Sequence, residues 1–324
     1  MQEMMLARAK ALLQSGDVQR VLGWQTGEFV YDVTPAVFET PEELDAKFVY
    51  NDFCGSNLSK YLVKESHKEG RVLVFLKPCD TYSFNQLIKE HRIMRENIYV
   101  IGVPCAGKTD GETLKALGLK GILGVKDAGD SFTVETLYGE KTVSKQEALP
   151  ERCRSCKSHK HMVYDELLGE EGEVLDSHRF DMVEKIESMS ADERFAFWQG
   201  ELSRCIRCNA CRNVCPACTC EKCVFDNENS GIAQKAAADS FEESMFHIIR
   251  AFHVAGRCTD CGECSRVCPQ NIPLHLLNRK FIKDINTFYG AYQAGEDTES
   301  RAPLTNYTKG DAEPSIVYHK GGEK

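Results

Sequence analysis

Cys205-Ile206-Arg207-Cys208-Asn209-Ala210-Cys211-Arg212-Asn213-Val214-Cys215-Pro216 decides how the C-terminal half folds, because its spacing recurs at Cys258-Thr259-Asp260-Cys261-Gly262-Glu263-Cys264-Ser265-Arg266-Val267-Cys268-Pro269. Both runs read C-x2-C-x2-C-x3-C followed by proline. A cuboidal 4Fe-4S cluster needs thiolates at several corners, and the first three cysteines of such a run wrap the chain around one cube. The fourth lies beyond that reach, and where two runs share a chain it ligates the other cube. The spacing therefore assigns Cys205, Cys208, Cys211 and Cys268 to one cluster, and Cys258, Cys261, Cys264 and Cys215 to a second. Zinc also takes four thiolates, but its sites usually pair two C-x2-C knuckles from separate segments, and here each run carries four cysteines and a proline.

Sixteen cysteines in 324 residues call for a chemical reason. No apolar run approaches the roughly 20 residues that span a bilayer. Met1 to Gln14 alternates apolar and charged residues (Leu6, Arg8, Lys10, Leu12, Leu13), unlike the continuous apolar stretch of a signal peptide. The expectation is an amphipathic helix in a cytoplasmic protein. In that reducing compartment cysteines serve metal binding or redox chemistry rather than disulfides. A net charge of −9 argues against nucleic acid as a partner, since phosphate wants a basic face.

Residues 1–160 read as an α/β domain. Val72-Leu73-Val74-Phe75-Leu76 and Ile98-Tyr99-Val100-Ile101 have the character of short buried strands, and Ser83 to Asn97 between them has helical character. Strand, helix, strand over this length predicts a βαβ unit and a parallel sheet. The acidic stretch Glu166 to Asp176 suggests a solvated linker or surface loop, placed at 161–195. From Arg179 onward strand signals vanish, and the domain over 196–290 is expected to be mainly α-helical, with Phe241, Met245, Ile248, Ile249 and Phe252 as one apolar stripe. Residues 291–324, polar with scattered Pro and Gly, are expected to form an extended tail. His247 and His253, beside the stripe, are expected to pack or face solvent, with a cluster role open because His replaces Cys in some clusters.

The other eight cysteines fall in two groups. Cys79 and Cys105 each end a predicted strand, and loops at the carboxyl ends of neighbouring parallel strands face one crevice. Cys153 and Cys156 can close over it and complete four ligands for a third cluster, with Cys54 as an alternative ligand. Buried cysteines that merely pack as small hydrophobes remain the plain alternative. Cys218, Cys220 and Cys223 follow the first run closely enough to suggest a further metal site or spare thiols. Three clusters is the central expectation, with four possible.

Phe246 to Cys258 (Phe-His-Ile-Ile-Arg-Ala-Phe-His-Val-Ala-Gly-Arg-Cys), with Ile272-Pro273-Leu274 after the second run, resembles the α-helical dicluster ferredoxin domains of heterodisulfide-reductase and succinate-dehydrogenase-type subunits. The N-terminal half resembles the β-subunit family of deazaflavin (coenzyme F-420) hydrogenases and dehydrogenases. The matching residues are Cys54-Gly55-Ser56-Asn57-Leu58-Ser59-Lys60-Tyr61-Leu62, Lys77-Pro78-Cys79-Asp80, Ile101 to Gly107 and Cys153-x2-Cys156. The resemblance implies an electron-transfer subunit accompanying a hydrogenase, a formate dehydrogenase or a heterodisulfide-reductase-like partner. It also implies a 4Fe-4S cluster and, in many members, FAD or FMN, although the sequence shows no clear Gly-rich flavin loop.

Three functions follow as expectations. The first is an iron–sulfur relay of an anaerobic multi-subunit oxidoreductase, a component of a complex with no catalytic side chain of its own. The second is a flavin-containing oxidoreductase subunit taking hydride from deazaflavin or a nicotinamide. The third rests on Gly102-Val103-Pro104-Cys105-Ala106-Gly107-Lys108-Thr109, which satisfies the P-loop pattern G-x4-G-K-T and would make an ATP-driven electron activator. Against it, Asp110-Gly111 interrupts the helix that a P-loop starts at its Gly-Lys-Thr.

Overall fold

The computed structural model describes residues 1–175, 178–226 and 240–303. Helix α1 (Gln2–Ser15) turns Met5, Ala9 and Leu12 inward and ends at Gly16, whose φ of 78° is the left-handed conformation glycine tolerates. Strands β1 (Arg20–Thr26) and β2 (Val33–Phe38) pair antiparallel, and α2 (Pro41–Lys47) follows, capped by Thr40. The wholly buried run Val72–Leu76 is β3, α3 spans Pro78–Lys89, and Ile98–Gly102 is β4. β3 lies parallel to both β1 and β4. Next, β5 (Ile122–Asp127), β6 (Ser131–Thr136) and β7 (Gly139–Ser144) make a separate antiparallel sheet. The main sheet is completed by β8 (Glu166–Leu167), parallel to β4, in the order β2-β1-β3-β4-β8.

The sheet is thus mixed, where a parallel one was expected: the short connection Gly27 to Asp32 is enough for an antiparallel hairpin but not for a crossover. Helix α3 starts well before Ser83 and stops well before Asn97. Pro78 sets its first turn, and Asp80 accepts the Lys77 N–H at 3.2 Å. The small antiparallel sheet was not foreseen, although Phe132, Val134 and Thr136 alternate inward along β6.

The segment expected as a linker at 161–195 is built into the structure. Glu166 and Leu167 lie in the sheet, and α4 (Asp181–Glu187) and the start of α5 (Ala191–Leu202) follow. Then come α6 (Ser240–His253) and α7 (Leu274–Tyr289). Val183 and Ile186 of α4 form a small core with Leu276 of α7, while Leu202, Phe225, Phe246, Ile272 and Leu274 form the main helical core. Up to residue 303 the expected tail lies on the protein, burying Ala294 and Ala302; the rest of it, like Asp176 of the acidic stretch, lies outside the described residues.

Helix α6 buries only part of the apolar stripe its spacing suggests: Met245 and Ile249 are half-buried, next to Phe246 in the helical core. Phe241, Ile248 and Phe252 are 69%, 41% and 62% exposed, whereas Glu243, His247 and Arg250 are 2%, 2% and 3% exposed. The charged side of the helix therefore faces the cysteines.

Buried ion pairs join the sheet domain to the helical half. Arg279, 1% exposed, donates to Asp260 at 2.9 Å, to Glu151 at 2.7 Å and to Ser155 Oγ at 3.0 Å. Nearby, Arg257 grips Glu90 through two bonds of 2.7 and 2.5 Å, and Ser83 and Thr259 share a hydroxyl bond of 2.9 Å. Removing one partner of a buried pair leaves the other charge uncompensated, at a cost of about 3–5 kcal/mol. Arg279→Ala should accordingly lower the unfolding free energy by about that amount in thermal or urea melts, with Arg279→Lys falling between. A melt unchanged by Arg279→Ala would show that this junction carries no stability.

Candidate iron–sulfur centres

The two cysteine runs fold alike because they bend alike. Positive φ angles recur at the second and fourth positions after each first cysteine: Arg207 (52°) and Asn209 (61°) in one run, Asp260 (58°) and Gly262 (69°) in the other. Left-handed residues turn the chain back on itself, so that short helices then start at Ala210 and Glu263. The Arg207 N–H donates to Cys205 Sγ at 3.4 Å.

Cys205, Cys208 and Cys211 line one cavity together with Cys268 of the other run, beside Phe246 and His247. The second set gathers around Cys215. Cys258 and Cys261 are half-buried and Cys264 is buried, and after burial itself the Cys215 charge is among the causes that push each of their thiols up, Cys264 to about 12. Burial likewise pushes Cys205 up to about 12. Cys215 is the exception. Its sulfur accepts a hydrogen bond from Cys218, which lowers it to about 5 and raises Cys218. Arg250, buried between the runs, donates to Cys211 O at 2.9 Å. Burial opposes its charge, but Cys215, Cys211 and Cys264 outweigh that and raise it.

In the sheet domain, Cys79 follows β3 at the start of α3, and Cys105 follows β4. Both line one cavity with Cys153 and Cys156, and Cys261 of the helical half reaches the same cavity. Burial pushes Cys79 and Cys105 up, and Cys156 up to about 11. Arg152 stands at this meeting point, 3.3 Å from Glu263 and 3.4 Å from Cys261 O.

Cys54 lies elsewhere. It sits in the main hydrophobic core with Asn51 N–H donating to its sulfur at 3.2 Å, and burial pushes it up to about 11. Cys218, Cys220 and Cys223 diverge: Cys218 bonds to Cys215, Cys220 is exposed and Cys223 packs against the helical core. His253 is exposed. His247 is buried with neither ring nitrogen hydrogen-bonded among the described residues. Burial first, then the Arg250 and Arg207 charges, lower it to about 3. Its place, and that of Arg152, could not be read from the chain, since each sits one residue from an apolar or cysteine position and depends on how two segments meet.

The donor sets fit cuboidal clusters better than single ions. Among the described residues, the one group of three or more ligating side chains whose donor atoms lie within 4.8 Å of one another is Cys205, Glu243 and His247. Four thiolates on one zinc with bonds of about 2.3 Å would stand under about 4 Å apart, so none of the cysteine quartets is gathered for that ion. Thiols pushed up by burial become ligands by losing their protons to a bound cation.

Residues 201–272 match the family model of the 4Fe-4S dicluster domain. The F420-dependent formate dehydrogenase subunit beta of Methanocaldococcus jannaschii is 26% identical over 92% of this chain and 92% of its own length. The F420-dependent formate dehydrogenase 1 subunit beta of Methanococcus maripaludis is 24% identical over 91% of each. A putative ferredoxin-3 of Sinorhizobium fredii is 33% identical over 24% of this chain and 75% of its own length. The chain is thus similar to these β subunits over nearly its whole length and carries a 4Fe-4S dicluster domain. No helix among the described residues is long and apolar enough to cross a membrane.

The P-loop-like stretch takes a different role in this chain. Lys108, 8% exposed, turns inward to donate to Asn51 O at 3.0 Å, and Thr109 Oγ1 donates to Ala148 O at 2.7 Å. The next helix starts only at Gly111, capped by Asp110. Lys108→Met should therefore lower the melting temperature, removing a charged hydrogen bond of about 1.5–3 kcal/mol, while millimolar Mg-ATP leaves the melting temperature of the unmutated chain unmoved. A rise with ATP that Lys108→Met abolishes would restore the nucleotide reading.

Proposed function

We propose that this chain is the iron–sulfur electron-transfer subunit of a multi-subunit oxidoreductase, relaying electrons through three 4Fe-4S clusters. The dicluster domain and the homologous β subunits support the relay itself. The relatives' names point to a formate dehydrogenase as the partner enzyme. The finer reading divides the chain into a sheet domain over 1–160 and a helical domain over 196–290, with the segment between them packed against both.

Cys205, Cys208, Cys211 and Cys268 would hold one cluster, and Cys258, Cys261, Cys264 and Cys215 a second. Cys79, Cys105, Cys153 and Cys156 would hold the third. Bound clusters of this kind each exchange one electron at a potential that the surrounding charges and hydrogen bonds tune. The observation that carries the relay is the cavity where the four sheet-domain cysteines meet Cys261. It supports an order in which the third site stands beside the second and the first, with Cys208 exposed, is the outer end toward a partner. Arg152, Lys77 and Arg250 hold positive charge next to these thiols, and the junction ion pairs fix the spacing between the domains.

A second reading adds flavin. A cavity of about 770 Å³ opens beside Arg152, lined among others by Asp110, Lys115, Lys120, Arg266 and His275. It falls within the roughly 300–1,000 Å³ of ordinary ligand sites, and its cationic residues suit a phosphate-bearing cofactor. Hydride chemistry would then enter next to the third site.

Anaerobic iron, sulfide and flavin analysis with EPR of the reduced protein tests both. The relay reading expects about twelve irons per chain. Cys105→Ser should remove about four of them, and Cys54→Ser none. About eight irons in the unmutated protein would remove the third cluster from the proposal. Stoichiometric flavin would move the function to the second reading.

A further inference from the structure

Helix α6 spends its buried face on side chains that an apolar helix would not choose. Glu243, His247 and Arg250 succeed one another at intervals of four and three residues, so they share one side of the helix. All three are at least 97% buried. Arg250 has a partner in Cys211 O. His247 has no hydrogen-bond partner among the described residues at either ring nitrogen. Buried polar groups are rarely left so, and an orphaned donor in a native core points to a group not yet accounted for. The imidazole lines the cavity of Cys205, Cys208, Cys211 and Cys268. One ring nitrogen, Cys205 Sγ and a Glu243 carboxylate oxygen all lie within 4.8 Å of one another.

We propose that His247 donates a ring N–H to a sulfur of the cluster held by Cys205, Cys208, Cys211 and Cys268, and so raises that cluster's reduction potential. His247 is then a positioning and tuning residue rather than a ligand, because four thiolates already surround the cavity. Reduction adds one negative charge to a cluster, and a donor aimed at its sulfur favours the reduced form. On the second set the side-chain donor is a different one, the Asn278 amide, whose Nδ2 donates to Cys264 Sγ at 3.7 Å from α7. Counting from the first cysteine of each run, the repeat is matched in its backbone turns, but His247 lies on α6 and faces only one of the two sites. The asymmetry separates the potentials of two otherwise similarly ligated centres.

This inference rests on the proposed ligand set, and the experiment separates the two. The full chain, purified anaerobically, is prepared unmutated and as His247→Leu and His247→Gln, and each is titrated potentiometrically with EPR detection. Iron content should stay the same in all three. In His247→Leu one cluster should become harder to reduce by about tenfold in its equilibrium constant, about 59 mV for a one-electron couple, with the other little changed. His247→Gln, which keeps an N–H donor, should recover part of that shift. Unmutated protein labelled with ¹⁵N-histidine should show one weak nitrogen coupling to a reduced cluster, a readout that needs no variant to fold. Full iron with unmoved potentials in His247→Leu, or no nitrogen coupling at all, overturns the proposal. Loss of a whole cluster in both variants with a strong nitrogen coupling overturns it in favour of ligation. A Cys208→Ser variant that keeps every cluster would instead remove the ligand assignment beneath it.

Discussion

Burying thiols that must become thiolates is the constraint on which this structure turns. A negative sulfur removed from water needs a nearby positive charge or donor, or it stays protonated and cannot hold iron. The chain meets that need with cations taken out of solvent. Arg250 lies between the two cysteine runs, and Arg152 lies between the sheet domain and the second run. Lys77, 2% exposed, stands against Asp80 at 2.8 Å beside Cys79. Each cation is expensive to bury and each needs its own partner. Asp80 meets that requirement for Lys77 within the sheet domain, and Glu263 meets it for Arg152 at 3.3 Å across the joint between domains.

The same constraint explains why helix α6 faces the way it does. Hydrophobic burial of Phe241, Ile248 and Phe252 would favour one orientation by a few kcal/mol at most per side chain. The need to neutralise the thiols as they lose their protons turns Glu243, His247 and Arg250 in beside the buried Phe246, and leaves Phe241, Ile248 and Phe252 outside, where Phe252 meets Phe281 of α7 with ring centroids 4.8 Å apart. The helix thus brings Arg250 and His247 to the cysteines in one element, at fixed spacing.

Function follows from where the elements end. β3 and β4 run parallel, so their carboxyl ends deliver Cys79 and Cys105 to one place, as open α/β sheets do with their ligands. The helical half closes against that edge and brings Cys261 to the same cavity. A relay requires its centres close and held rigidly, and buried ion pairs such as Arg279 with Asp260 and Glu151 hold the two halves in one arrangement.

Local patterns alone determined much of this. The paired C-x2-C-x2-C-x3-C runs carry the dicluster domain, because left-handed turns at fixed offsets need only the residues of the run itself. The strands Val72–Leu76 and Ile98–Gly102 were legible for the same reason, as short β-rich apolar runs bounded by Gly or Pro. The antiparallel direction of β2, the pairing of Glu166 and Leu167 with β4, and the inward face of α6 were decided by tertiary structure. Each depends on what a distant segment offers across a gap: a free strand edge, or a set of thiols that must be neutralised. Cys54 makes the same point. In sequence it stands level with Cys79 and Cys105, and only the packing of the main core, of which it is a fully buried member, sets it apart from the cysteines at the cavity.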